Sequence, residues 1–245
     1  MPHWAVIPLP LSQATALSSI PRTAGRSAGP PRLIVIAWSI RPRLSAATLT
    51  DMRVFAAVLP PAGALAELGA AVDALHALPG AEALRWTSRP GWHFTLAFMG
   101  EVDDGLLPDL HARLARAARR TAPFGLRLRG AGHFGPRALW TGAAGDLDAL
   151  RRLAERADAA ARRAGIPMEE HRRYQPHLTI ARARGEGAPL APFLEALDGF
   201  EGTRWEVGEL ALVRSNLPVG GVAGEQPRYE TVETWPLEGR EEDPG

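Results

Sequence analysis

The sequence predicts an α+β fold that is bilobal. Two pseudo-symmetric lobes of mostly antiparallel sheet would face a central cleft, with the helices outside. Three observations carry this. Strand-like and helix-like segments alternate, but several strands are adjacent, which argues against a doubly wound parallel sheet. A short pattern occurs twice, His93-Phe94-Thr95-Leu96 and His177-Leu178-Thr179-Ile180, each in a run of strand-forming residues. The two copies lie 84 residues apart, each between helical stretches, as an internal duplication would leave them.

The elements follow in order. Residues 1–51 are rich in Pro, Ser, Arg and Gly, with one apolar stretch at Leu33–Trp38. That stretch is too short and too deep in the segment for a secretory signal. The segment is expected to be a disordered N-terminal extension, or translated sequence upstream of a start at Met52. Arg53–Leu59 reads as a buried strand closed by Pro60-Pro61. Leu65, Leu68, Val72 and Leu75 then recur at helical spacing until Pro79-Gly80. Leu84–Thr87 is a short strand, and Trp92–Phe98 is the first motif strand, ended by Gly100. Asp103 or Asp104 caps a helix with Leu107, Leu110 and Leu114 inside. Phe124–Arg129 alternates as a half-exposed strand, and the Gly-rich GAGHFGP reads as a turn before a strand at Arg137–Thr141. Asp146 caps a helix through Leu147, Leu150, Leu153 and Ala157, which Gly165 and Pro167 terminate. His177–Arg184 is the second motif strand, and Leu190–Leu197 a short helix. Trp205–Arg214 and Tyr229–Trp235 are the last strands. The expected domain is 52–238, with a flexible tail at 239–245.

Composition excludes several chemistries. The chain has no cysteine, which removes disulfides, zinc–thiolate sites and a Cys nucleophile. It has no lysine either, which removes Schiff bases, lysine nucleophiles and Walker-type phosphate loops. A cytosolic setting fits. No apolar run approaches the ~20 residues of a membrane helix, so no membrane partner is expected. The formal charge of +1 is uneven. Residues 1–51 hold five Arg and one acid, which leaves 23 Arg against 26 acids, a net −3, for 52–245. Any phosphate site must therefore be local. The densest basic stretch is Arg172, Arg173, Arg182 and Arg184, around the second motif.

Strand alternation puts His and Thr of each copy on one face and the two apolar residues on the other. Two imidazoles and two hydroxyls across one cleft suit acid–base attack on a phosphodiester. One neutral imidazole removes a proton from the nucleophile, and the other, protonated, supplies one to the leaving oxygen. Thr95 and Thr179 can donate to the non-bridging oxygens, and Arg can neutralise them. A strained 2′,3′-cyclic phosphate is a natural substrate, and no metal or other cofactor is needed. Two histidines without a nearby carboxylate or Cys make poor zinc ligands. Spacing alone does not say which histidine is the acid. Of the others, His76 and His111 are expected on exposed helix faces, His133 in the Gly-rich turn, His171 in a surface loop and His3 in the extension.

At these motifs the sequence resembles the two-histidine phosphoesterase superfamily. Within it, the sequence looks like the bacterial RNA 2′,3′-cyclic phosphodiesterases, also called 2′-5′ RNA ligases. The resemblance runs from Met52 to about Leu237, through MRVFAAVLP, HFTLAFMGEVDD, FGLRLRGAGHFGPRALWTG, RYQPHLTIARAR and LVRSNLP…PRYETVETWPL. It implies a bilobal α+β fold and hydrolysis of a 2′,3′-cyclic phosphate to a 2′-phosphate; the expected partners are RNA ends or cyclic nucleotides, and the expected state is a monomer. His177 would be the proton acceptor and His93 the proton donor. Thr95 and Thr179 would hold the phosphate, with Arg182 on the substrate and Phe98 stacked on a base. Two features fit less well. Gly91-Trp92 stands where the family usually has a polar pair. Phe98 and Arg182 also lie five residues after their histidines, an odd number that an ideal strand turns to the opposite face. Either each strand bulges or these residues act past its end. ATP-independent 2′-5′ ligation at the same site and a non-catalytic RNA-end or nucleotide-binding module remain open alternatives.

Overall fold

The computed structural model describes residues 52–169, 173–185, 188–217 and 226–240. The expected extension at 1–51, His171, Arg172 and residues 241–245 lie outside the described residues. Gly239 and Arg240, where the tail was expected to begin, still donate backbone hydrogen bonds to the Thr121 and Arg119 carbonyls at 3.0 and 2.8 Å.

The chain order is β1 (Met52–Val58), α1 (Ala62–Leu75), β2 (Leu84–Trp86), β3 (Phe94–Val102), α2 (Leu107–Arg119), β4 (Phe124–Phe134) and β5 (Ala138–Gly145). It continues with α3 (Leu147–Arg163), β6 (Leu178–Ala183), α4 (Ala191–Leu197), β7 (Trp205–Val207), β8 (Glu209–Asn216) and β9 (Arg228–Pro236). The strands form a four-stranded sheet, β3-β1-β8-β9, and a five-stranded sheet, β2-β6-β5-β4-β7. Every pairing is antiparallel, as the adjacent strands predicted.

Alternation explains the faces. On β1, Val54, Ala56 and Val58 enter the main core, while Phe55 and Ala57 join a separate small cluster with Ala211 and Val213 on the opposite face. The helices α2 and α3 pack on the core side of the four-stranded sheet, and α1 and α4 lie against β4. Leu110, Leu114, Leu150 and Leu153 are fully buried, each contributing roughly 1.5–3 kcal/mol by leaving water. One continuous core joins both sheets, from Val54 and Leu212 in the first to Leu128 and Ile180 in the second. Among the described residues no helix is long and apolar enough to cross a membrane.

Several expectations need correction. Only the end of the Gly-rich stretch is a turn: β4 runs to Phe134, pairing with β5 from Ala131 onward, and the chain turns at Gly135, Pro136 and Arg137. Gly132 permits the pairing, because a Cβ there would sit 2.1 Å from the Trp140 ring. His133 is therefore on a strand, with Nδ1 against the Gly135 carbonyl at 2.9 Å. The first motif strand starts at Phe94 and passes Gly100 to Val102. Gly100, at φ 70°, opposes Val54 beside a register shift that leaves Met99 as the extra residue. Trp205–Arg214 is two strands in different sheets. Asp146 stands at the N-cap of α3, but its carboxylate accepts from the Gly125 amide at 2.9 Å and from Arg204 at 3.1 Å rather than from the helix. His111 is half-buried, paired with Glu233 and edge-on to Trp235.

Candidate active site

Strand β2 brings the two motifs together. It precedes the first motif in the chain, yet it pairs with the strand of the second. Leu84, Arg85 and Trp86 oppose Ala183, Arg182 and Ala181, and the Thr87 amide donates to the Ile180 carbonyl at 2.8 Å. A 3-10 turn at Arg89–Gly91 then carries the chain to His93. Gly91 is buried, and a Cβ on it would come within 3.0 Å of the Thr87 methyl and 3.2 Å of the Tyr229 ring. Trp92, 4 % exposed, belongs to the core.

The odd spacing is resolved by bulges. In β3, Ala57 opposes Thr95 and Ala56 opposes Ala97, so Leu96 is the extra residue. In β6, Trp140 opposes Thr179 and Leu139 opposes Ala181, so Ile180 is the extra residue. Each bulge falls three residues after its histidine. Leu96 and Ala97 both turn into the core, as do Ile180 and Ala181. The parity therefore flips, and Phe98 and Arg182 return to the face of Thr95 and Thr179.

The histidines have matching surroundings. His93 stacks on Phe55, with centroids 4.5 Å apart and 30° between planes, and meets Tyr229 edge-on at 5.1 Å. His177 meets Phe134 edge-on at 4.7 Å, with Trp140 at 6.3 Å. The His177 Nδ1 lies 2.9 Å from the Gln175 carbonyl, which directs Nδ1–H to the backbone and leaves Nε2 as the free acceptor in the neutral ring. The His93 ring bonds to the Gly91 carbonyl, again two residues upstream. Burial and then the neighbouring His177 charge lower the His93 pKa to about 4, against the opposing pull of the Gly91 carbonyl. Burial also lowers the pKa of His177, with a further push from the Arg182 guanidinium, while the Gln175 carbonyl acts in the opposite sense.

Two measurements follow. The unfolded chain binds a proton at His93 below about pH 6.5, whereas the folded protein binds it only near pH 4. The unfolded state therefore holds more protons between these values, and stability falls as pH falls through that window, by on the order of 3 kcal/mol from this group. Urea unfolding at pH 7 and pH 4 should show a smaller difference for His93→Gln. For the second, Gly132→Ala drives a methyl into the Trp140 ring beside Phe134 and His177. We expect a loss of about 1–3 kcal/mol and a shifted His177 imidazole signal by NMR; unchanged values for both would contradict this packing.

His93, Thr95, Phe98 and Arg182 line one cavity of about 290 Å³ between the two sheets, together with Arg53, Phe55, Arg85, Thr87, Ser215 and Tyr229. His177 stands beside it, close enough for its charge to act on His93. Thr179 is half-buried on the same strand face as Arg182 but does not line this cavity. No carboxylate is among the described lining residues, so the local basicity that a phosphate requires is present despite an acidic body. Phe98 is 50 % exposed, and the Arg53 guanidinium lies 5.0 Å over its ring. A larger hollow of about 890 Å³ lies between β3 and α3, but it holds Asp148, Glu155, Asp158 and Glu169 and neither histidine. Among the described residues, no three His, Asp or Glu side chains are placed together to hold a metal ion.

A sequence profile described as the 2′-5′ RNA ligase superfamily matches residues 66–217, more than half of the chain and including both motifs. The chain belongs to this superfamily. Relatives named RNA 2′,3′-cyclic phosphodiesterase include one from Geobacillus stearothermophilus. It is 35 % identical over 160 residues, covering 63 % of this chain and 48 % of that protein. One from Thermus thermophilus is 36 % identical over 160 residues, covering 60 % of this chain and 72 % of its own length. The chain thus spans about half the length of the Geobacillus relative. Among solved structures, a Thermus thermophilus protein superimposes with a TM-score of 0.61 at 30 % identity over 78 % of this chain and 100 % of that one. Escherichia coli LigT complexed with 3′-AMP gives 0.60 at 26 % identity over 76 % and 98 %. The superfamily fold, helices with antiparallel sheets, is the one the sequence predicted.

Sequence reasoning about this superfamily member passed over Arg53, Arg85 and Tyr229. A signal for Arg85 existed: in the strand Leu84-Arg85-Trp86-Thr87 it alternates onto the face of Thr87, away from the buried Leu84. Tyr229 carried no local mark, because its neighbour His93 is remote in the chain.

Proposed function

We propose that this chain hydrolyses RNA 2′,3′-cyclic phosphate ends to 2′-phosphates without a metal. His177 takes the proton from water and His93 gives one to the departing 3′-oxygen. The observation that carries this is the paired setting of the two imidazoles. Each is seated on aromatic rings, each bonds to the carbonyl two residues upstream, and the charge of one acts on the other.

In the proposed step, His177 Nε2 accepts a water proton as the water oxygen bonds to phosphorus. The bond from phosphorus to the 3′-oxygen breaks, and the His93 proton passes to that oxygen. Thr95 and Thr179 donate to the non-bridging oxygens, and Arg182 balances their charge. Phe98 offers an exposed ring face for a base. The relatives' names, RNA 2′,3′-cyclic phosphodiesterase, support the substrate class. All of these residues come from one chain, so a monomer suffices, and a cytosolic location fits an RNA substrate.

The pH dependence has a definite sign. Both histidines are held below the ordinary imidazole pKa in the free protein. The singly protonated cleft is therefore scarce at neutral pH and becomes scarcer above it. The kcat/KM profile should be bell-shaped, with both limbs below about pH 6.5. An anionic phosphate favours imidazolium, so the kcat profile should have its alkaline limb at higher pH. Activity should persist in excess EDTA. Phosphorus NMR of the product from a 2′,3′-cyclic nucleotide tests the proposal; a 3′-phosphate product, or no turnover with tight binding, would refute it.

A further inference from the structure

The cavity holds more positive charge than one cyclic phosphate calls for. A cyclic phosphodiester carries one negative charge, yet Arg53, Arg85 and Arg182 all line the site, with no carboxylate among its described lining residues. Arg85 and Arg182 are directly opposed in the β2–β6 ladder. Like charges at opposed positions of an antiparallel pair cost stability, and neither side chain forms an ion pair among the described residues. The Arg182 charge also acts on His177, which places Arg182 on the side of the reacting group and Arg85 one strand further out. Arg53 comes from the other sheet and is held over Phe98, the exposed ring available to a base. Carboxylates one turn away on the outer helices pair with Arg113, Arg151 and Arg162, but no carboxylate is among the described residues that line the cavity with Arg53, Arg85 and Arg182.

We propose that Arg85, with Arg53 across the cleft, forms a second phosphate subsite beside the reacting one. The ligand it fits is a nucleotide bearing a further phosphate on its 5′ side. This deepens the function proposed above and rests on it. With the reacting phosphate against Arg182 and the second against Arg85, the repulsion between the two opposed guanidinium groups is offset, and base stacking on Phe98 spaces the two phosphates. A 5′-phosphomonoester and the internucleotide phosphodiester of an RNA end share this chemistry.

Calorimetry with the products tests it: adenosine 2′-monophosphate, adenosine 2′,5′-bisphosphate and a dinucleotide with a terminal 2′-phosphate. The bisphosphate should bind about tenfold or more tightly than the monophosphate, as a charge-assisted contact supplies. Arg85→Gln should bring that ratio towards one, whereas Arg152→Gln, on the outer helix α3, should leave it in place as a control for general charge. If the dinucleotide gains as much as the bisphosphate, the subsite serves RNA ends; if only the bisphosphate gains, it serves 5′-phosphorylated nucleotides. Equal binding of mono- and bisphosphate, or a ratio that Arg85→Gln leaves unchanged, overturns the subsite alone. No binding of the monophosphate, together with no turnover of its cyclic form, overturns the parent function as well.

Discussion

Replacing His177 with alanine should lower kcat on a 2′,3′-cyclic nucleotide by roughly 10²–10⁴-fold, and His93→Ala should do the same, because each removes one proton transfer from the same step. The double variant should be far less impaired than the product of the two, since one remaining imidazole cannot perform a concerted transfer. Neither change should unfold the protein: both rings are half-buried at the cleft rather than in the main core. The leaving group separates the roles. A substrate whose 3′-oxygen is replaced by sulfur departs as a thiolate and needs no acid. It should restore much of the rate to His93→Ala and little to His177→Ala. The opposite pattern would reverse the assignment of donor and acceptor. Near-normal turnover in either alanine variant, with intact circular dichroism, would remove both histidines from the mechanism.

The second large effect concerns Arg182. Its return to the cleft face depends on the Ile180 bulge, and its charge already acts on His177 in the free protein. Arg182→Gln should lower kcat/KM by roughly 10–100-fold, the cost of losing a charge-assisted bond to a phosphate oxygen. The same change should raise the His177 pKa, because a neighbouring cation no longer disfavours the imidazolium. The His177 NMR titration should therefore move to higher pH, a shift that mere loosening of the strand would not produce. Lysine at 182 should keep the pKa effect but recover only part of the rate, since an ammonium cannot form the bidentate contact. An unchanged titration in Arg182→Gln would mean that the two side chains do not share a site.

Much of this molecule was legible before its structure. The order of strands and helices followed from periodicity and from Pro and Gly punctuation, and the antiparallel sheets from adjacent strands. The failures have physical causes. Gly-rich residues 130–136 looked like a turn throughout because glycine favours turns locally, but the chain turns only from Gly135, and Gly132 lies on the strand where a Cβ would meet the Trp140 ring. Trp205–Arg214 looked continuous because the local pattern does not reveal that Gly208 passes the chain from one sheet to the other. His111 looked exposed because its partner Glu233 arrives from the last strand.

The two His-x-Thr motifs, their strand setting and the absence of competing Cys and Lys chemistry were determined by the sequence alone, because residue type and short-range spacing are local facts. The consecutive apolar pairs Leu96-Ala97 and Ile180-Ala181 even recorded the bulges, as breaks in strict alternation. Only the tertiary structure decided that β2, upstream of the first motif, would pair with the strand of the second, and so how the two halves meet. It also decided that Arg53, Arg85 and Tyr229 would join the cleft, and that burial would depress both imidazoles. Strand pairing and burial are set by contacts between residues distant in the chain, which no local pattern of side chains encodes.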